Sequence, residues 1–213
     1  MWGILIMKGE SSNTKERILE CAKEEFLEKG FKNASLRNIC KMAGVTTGAV
    51  YGYFKDKDSI FMALVKDVMD GLKHLIDEIE GEESENDILN FITQNNDREY
   101  IVENHSKYVD YIYDNIDAIR LIITCSDGSS AENYLEDVSK YLVDIDRTRL
   151  QQLGNKGVHI EEFVLHMLVK FYITSICELV EHNISREEAL KHMSSLSTFL
   201  FAGWAQLIKN NKE

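Results

Sequence analysis

Apolar residues recur along this chain at three- and four-residue spacing, and that pattern predicts a string of helices. Ile18, Leu19, Ala22 and Phe26 form the first stripe, behind Asn13 and Glu16, which have the spacing of a capping box. Gly30 stands where a helix-terminating glycine belongs. Ser35 is the expected N-cap of a short second helix with Leu36, Ile39 and Cys40, ending near Ala43–Gly44. A third segment covers Thr47–Phe54. Asp56 then caps a fourth helix carrying Ile60, Phe61, Leu64, Val65 and Val68, which runs towards Glu80. Past the acidic stretch 81–85, helices are expected near 87–103, 105–114, 116–125 and 130–153. Two longer ones follow near 159–182 and 186–209, the last behind a second capping box at Ser185–Glu188. No run alternates with the period of a half-buried strand, so the expected fold is all-α, with about nine helices.

Composition agrees. The chain has 213 residues and no proline, where about ten would be average. Long uninterrupted helices follow naturally, and a turn-rich β-sandwich does not. Cys21, Cys40, Cys125 and Cys177 are scattered without a C-x-x-C pair and read as free thiols in a reducing cytoplasm. The apolar run Met1–Met7 is too short for a signal peptide and has no basic flank; Met7 is a possible alternative start. Residues 1–12 are set apart as a poorly ordered extension. No stretch approaches the ~20 apolar residues of a membrane span, so no membrane partner is expected.

Charge changes the picture further. Residues 1–66 carry 11 Lys and Arg against 8 Asp and Glu, while the other 147 carry 13 against 28. No acid falls between Glu28 and Asp56, a window that holds Lys32, Arg37, Lys41 and Lys55. A small basic island on an acidic protein points to a local polyanion site. Three short helices with a turn at Ala43-Gly44-Val45 form a helix-turn-helix, the glycine taking a positive φ. Leu36, Ile39, Val50 and Phe54 would face inward with Ile18, Ala22 and Phe26. Thr46, Thr47, Gly48, Tyr51 and Tyr53 would face outward, with Lys55 and Lys57 available to phosphates.

Positions 14–61 resemble the DNA-binding domain of the TetR family of transcriptional regulators. The strongest likeness is Gly44-Val-Thr-Thr-Gly-Ala-Val-Tyr-Gly-Tyr-Phe-Lys-Asp-Lys-Asp-Ser-Ile-Phe61, supported by Ile18–Phe26 and by Gly30-Phe31. The resemblance covers about a quarter of the chain. It implies that Arg37, Thr47, Gly48 and Tyr51 face bases, and that Thr46, Tyr53 and Lys57 lie near the phosphate backbone. Ala49 stands where the family often has a hydroxyl residue. Gly52 replaces bulkier residues, at a mid-helix cost of about 1 kcal/mol against alanine. The expected domains are 13–56 for the helix-turn-helix, 57–80 for a connecting helix, and 81–213 for a helical ligand-binding and dimerisation domain.

For that last domain the resemblance implies a homodimer through the final two helices and a pocket for an unknown small-molecule effector. Candidate pocket residues are Tyr108, Tyr111, Ile112, Ile122, Tyr134, Tyr141, Phe163, Met167 and Tyr172. His159, Glu162 and His166 share one helix face, but accidental placement explains such a stripe, and no metal or cofactor is expected. No nucleophile triad, Gly-rich phosphate loop or dinucleotide fingerprint is present, so no enzyme is expected. The expected function is a cytoplasmic, homodimeric, ligand-responsive repressor whose partner is a pseudo-palindromic double-stranded DNA operator. The alternatives are an all-α small-molecule-binding enzyme with a vestigial DNA-binding domain, and a protein-interaction adaptor.

Overall fold

The computed structural model describes residues 2–81, 98–154 and 160–210. The described residues form nine α-helices and no strand: α1 Trp2–Asn33, α2 Leu36–Met42, α3 Thr47–Tyr51, α4 Lys57–Gly81, α5 Arg98–Asp114, α6 Ile116–Thr124, α7 Tyr134–Gly154, α8 Glu162–Glu181 and α9 Arg186–Asn210. Helix α1 begins at Trp2 and not at Asn13, so residues 2–12 extend it; with no proline present, nothing forces a stop there. Its regular part ends where expected, at Gly30, whose φ of 70° and ψ of 161° break the helical path. The separate helices expected over 87–103 and 105–114 are not seen as such. Residues 82–97 lie outside the described residues, and from Arg98 one helix runs unbroken to Asp114.

Local capping follows the sequence closely. Ser35 accepts the Asn38 N–H at α2. Asp56 and Ser59 cap each other before α4, with the Ser59 N–H 2.8 Å from the Asp56 carboxylate. Ser185 and Glu188 do the same at α9, where the serine hydroxyl lies 2.7 Å from the glutamate. The backbone N–H groups of Asn38, Ser59 and Glu188, which have no partner within their own helices, are satisfied in this way.

The chain divides into two compact units. The first holds the residues up to Met69 together with Asp117–Tyr134; the second holds Asp70–Ile116 and the residues from Leu135 on. The sequence reading put all of 81–213 in the second domain, whereas α6 and the loop after it pack with the helix-turn-helix. The first unit's core contains Ile18, Ala22, Phe26, Ile39, Val50, Phe54, Ile60, Phe61 and Val65, joined by Ile119, Leu121 and Ile122 from α6. Phe26, Phe31 and Phe61 form an aromatic trio with ring centroids 5.1–5.8 Å apart. The Phe31 N–H donates to the Cys125 carbonyl at 2.8 Å, and Asp58 accepts from the Ser130 N–H and hydroxyl at 2.7 and 2.6 Å.

The second unit is held by three apolar clusters. Ile76 and Ile79 of α4 meet Tyr108 of α5 and Leu142 of α7. Val109 of α5 meets Ala189 and Met193 of α9. Val143 of α7 meets Leu165 and Val169 of α8. Gly71 on α4 permits the close approach of Tyr111: a Cβ there would land on the tyrosine hydroxyl.

Candidate nucleic-acid interface and interior polar cluster

The turn between α2 and α3 is built by Gly44, with φ 63°, a conformation that side chains with a Cβ rarely adopt. The Gly44 and Val45 N–H groups return to the Lys41 and Cys40 carbonyls, and the Arg17 guanidinium donates to the Ala43 carbonyl at 2.8 Å. Thr46 is the N-cap of α3, its hydroxyl oxygen accepting the Ala49 N–H at 3.1 Å. Beneath this, Glu25 is wholly buried. Its carboxylate accepts from the Ser35 N–H at 3.0 Å, from the Lys29 ammonium at 2.9 Å and from the Asn38 amide. Burial opposes its charge, yet those three donors outweigh burial and hold its pKa below the ordinary carboxylate value. Glu25 thereby locks α1 to the start of α2.

On that support Val50 and Phe54 point inward, and Leu36 is half-buried. Arg37, Thr46, Thr47 and Gly48 are exposed, and Tyr51 is 56% exposed. These five form an outward surface of small, hydroxylated and cationic groups, suited to close approach to a groove edge. Tyr53 is half-buried.

Two expectations change here. Gly52 is not in a helix interior: α3 ends at Tyr51 and Gly52 is its C-cap, so the mid-helix penalty does not apply. Lys57 is not directed at solvent phosphate. Its ammonium donates to the Phe31 carbonyl at 2.5 Å and the Ala34 carbonyl at 3.0 Å, and lies 4.4 Å from the centre of the Phe31 ring. The Phe31 carbonyl belongs to the end of α1 and the Ala34 carbonyl follows it, where backbone acceptors lack helical partners and the dipole favours a cation. Burial pulls the Lys57 pKa below the ordinary lysine value.

The expected pocket residues are scattered. Ile122 and Tyr134 belong to the first unit, where the Tyr134 hydroxyl donates to the Met69 carbonyl at 2.9 Å. Phe163 and Met167 are 69% and 48% exposed, so neither lines an interior pocket. The Tyr141 hydroxyl donates to the exposed Asp77, with Lys73 over its ring. Tyr111 packs on Gly71, and Ile112 is ordinary core. Tyr108 and Tyr172 remain, and they sit in a polar cluster that sequence periodicity did not signal. The Tyr108 hydroxyl donates to Glu80 at 3.1 Å, and Glu80 is paired with Arg149 at 2.5 Å. His105 bonds Ser197 and packs its ring 4.9 Å from that of Tyr172. Burial lowers the His105 pKa to about 4, so the ring is neutral near pH 7. The Tyr172 and Ser139 hydroxyls are buried without a hydrogen-bond partner.

Of the stripe weighed for metal binding, His159 lies outside the described residues. Glu162 pairs with Arg147, and His166 stacks on Phe163. Among the described residues no three metal-ligating side chains gather. Helix α8 is apolar enough, by length and composition, to cross a membrane, which the sequence reading did not anticipate. It carries Lys170, however, paired with Glu136 of α7, and it buries Leu165, Val169 and Val180. Its remaining apolar face includes Phe163, Met167 and Phe171, while Phe199 is exposed on α9.

A three-helix head with a glycine turn, a capped third helix and an exposed polar recognition surface defines a helix-turn-helix protein. Residues 18–64 match the model of the bacterial regulatory proteins of the tetR family. Over this segment the chain is similar to the TetR family of transcriptional regulators. It is 43% identical over 58 residues to the HTH-type transcriptional repressor BepR of Brucella suis, a stretch of 27% of this chain and 28% of that one. It is 44% identical over 54 residues to the regulator AcrR of Shigella flexneri, a quarter of each chain. The chain thus spans little more than a quarter of the length of these relatives. The fold is shared more widely. A transcriptional regulator of Aquifex aeolicus superposes with TM-score 0.60 at 17% identity, over 88% of this chain and 99% of that one. A TetR-like regulator from Rhodococcus gives 0.59 at 13% identity, over 89% and 96%.

Proposed function

We propose that this protein is a cytoplasmic transcriptional regulator that binds a pseudo-palindromic operator as a homodimer and is released by a small molecule. The observation that carries the reading is the exposed surface of Arg37, Thr46, Thr47, Gly48 and Tyr51 over the buried support of Val50, Phe54 and Glu25. It lies inside the segment matched to the tetR family, whose relatives are named as regulators and not as enzymes. The repressor direction takes its support from the name of BepR.

Two arguments support homodimerisation. The five residues of α3 rise only about 7–8 Å, too short to read more than a few base pairs, so two copies are needed for a specific site. Phe163, Met167 and Phe171 of α8 and Phe199 of α9 leave large apolar side chains exposed, the kind of surface that a two-fold pair buries. Release by an effector requires a ligand that prefers the non-binding state, and the amount of release is set by that preference.

The test is selection of bound sites from random duplexes with the purified full chain, followed by affinity measurement on the enriched site. A palindromic site should emerge, bound far more tightly than random DNA. Arg37→Ala and Tyr51→Ala should each weaken that binding about tenfold or more, the worth of a good base contact. Equal affinity for all sequences would remove the regulator reading.

A further inference from the structure

We propose that Arg17 of α1 is a DNA-phosphate contact, its guanidinium anchored by one N–H on the carbonyl that closes α2 and open to a phosphate through the others. This rests on the reading of the chain as a DNA-binding regulator, and it adds to that interface a residue outside the second and third helices.

The location comes from two cations on α1. The Arg17 Nε–H donates to the Ala43 carbonyl at 2.8 Å. Ala43 is the C-cap of α2, where carbonyls lack helical partners, and Gly44 follows it in the turn. Two residues before Arg17, the Lys15 ammonium lies 5.9 Å from the centre of the Phe54 ring. Ala43 precedes α3 and Phe54 follows it. Residues 15–17 of α1 therefore border the recognition helix at both ends, and Lys15 and Arg17 are both exposed.

The chemistry comes from the unspent part of the guanidinium. An arginine carries five N–H donors in one plane. Among the described residues, the bond to Ala43 is the only one Arg17 makes, and no carboxylate pairs with it. Other cations of the same unit are committed: Lys23 pairs with Asp117, Lys29 with Glu25 and Lys32 with Asp127, and Lys57 is held by the Phe31 and Ala34 carbonyls. The Ala43 anchor restrains the long Arg17 stem, so less rotamer freedom is lost when a phosphate is bound. The planar fork matches phosphate oxygens, which a protein acceptor does not occupy here. Arg17 stands on α1, beside the outward surface of Arg37, Thr46, Thr47, Gly48 and Tyr51 and not within it. A contact from that place sets the register of the head on the duplex and reads no base.

The experiment uses the full chain on its selected operator and on a random duplex, with affinity measured across a salt series. Arg17→Gln keeps an N–H donor for the Ala43 carbonyl and removes the charge. It should leave the urea midpoint near the wild-type value, lower the salt slope by about one, and weaken both duplexes by the same factor, about three- to tenfold. Arg17→Lys keeps the charge and should keep the slope. Single methylphosphonates walked along the operator give a second reading: the wild type should lose affinity at several phosphates, and Arg17→Gln should be indifferent to one of them in each half-site. An unchanged slope in Arg17→Gln, a methylphosphonate profile identical to that of the wild type, a slope lowered equally by Arg17→Lys, or a changed base preference would each overturn the proposal. The parent reading fails separately. If the wild type selects a site and Arg17→Gln keeps its slope, only this contact falls. If the wild type binds all duplexes alike, the regulator reading falls, and the contact with it.

Discussion

Lys57→Met separates a structural lysine from a DNA-contacting one. The substitution keeps the stem and removes the ammonium. In the structure that ammonium donates to the Phe31 and Ala34 carbonyls and sits over the Phe31 ring. A hydrogen bond from a charged donor contributes about 1.5–3 kcal/mol when buried. Lys57 is only partly buried, and solvent screening brings its two bonds to about 1–2 kcal/mol together. The ring contact adds about 0.5–1 kcal/mol. Part of this is offset by the cost of burying the ammonium, which is why its pKa falls below the ordinary lysine value. The expected net loss is about 1–2 kcal/mol in a urea unfolding series. Operator affinity is measured in parallel against salt concentration. A phosphate contact removed lowers the salt slope by about one. For Lys57→Met the slope should stay at the wild-type value, while Lys55→Met, which alters an exposed neighbour, should lower it. Unchanged stability with a slope lowered by one at Lys57 would refute the reasoning and return this residue to the phosphate backbone.

Three further outcomes are expected. His105 has a folded pKa of about 4 against 6.5 for an ordinary histidine, so the unfolded state takes up the proton first. Stability should be full above pH 6.5 and fall by about 3 kcal/mol between pH 6.5 and 4, with no further His105 contribution below that; the difference between wild type and His105→Gln across a pH series of urea midpoints reads it, and equal profiles would contradict it. Gly71→Ala should destabilise the protein by about 1 kcal/mol despite alanine's better helix propensity, because the new Cβ meets the Tyr111 hydroxyl, and Tyr111→Phe should recover part of that loss in thermal melts. Phe199→Glu should shift the oligomeric state to monomer in sedimentation equilibrium: burying this phenylalanine once per protomer stabilises a dimer by about 3–6 kcal/mol, so the dissociation constant should rise a hundredfold or more.

What the sequence made legible was local. Gly30 and Gly44 take the left-handed conformation their positions called for, and Ser35, Asp56 and Ser185 cap the helices they precede. Each of these depends on a few neighbouring residues, so spacing carries the information. The outward surface of α3 was legible for the same reason, since Val50 and Phe54 fix its inward side. What was not legible depended on distant partners. Lys57 has a flexible stem, and only the tertiary placement of the α1 end, 23–26 residues earlier, shows where its ammonium goes. Phe163 and Met167 have the spacing of core residues, but an exposed apolar face has that same spacing, so periodicity could not separate the two. His105, Ser139 and Ser197 are polar residues buried by packing on other helices, and no pattern along the chain marks them. Tyr134 and Ile122 follow α6 into the first unit, a pairing set by Phe31, Cys125, Asp58 and Ser130 across about 70–95 positions of chain.

That pairing fixes which residues belong to the body of the helix-turn-helix. The N-terminal half of α4 is fixed within the first unit at both ends: Lys57 holds the end of α1, Asp58 holds Ser130, and the Met69 carbonyl accepts from Tyr134. Residues 117–134 are therefore part of the body that carries the recognition surface. The chain leaves this body at three places, after Met69, before Asp117 and after Tyr134. At the first of these it is in mid-helix, since α4 runs unbroken from Lys57 to Gly81. Glu80, which closes the polar cluster around Tyr108 and Arg149, lies on that same helix, eleven residues beyond Met69.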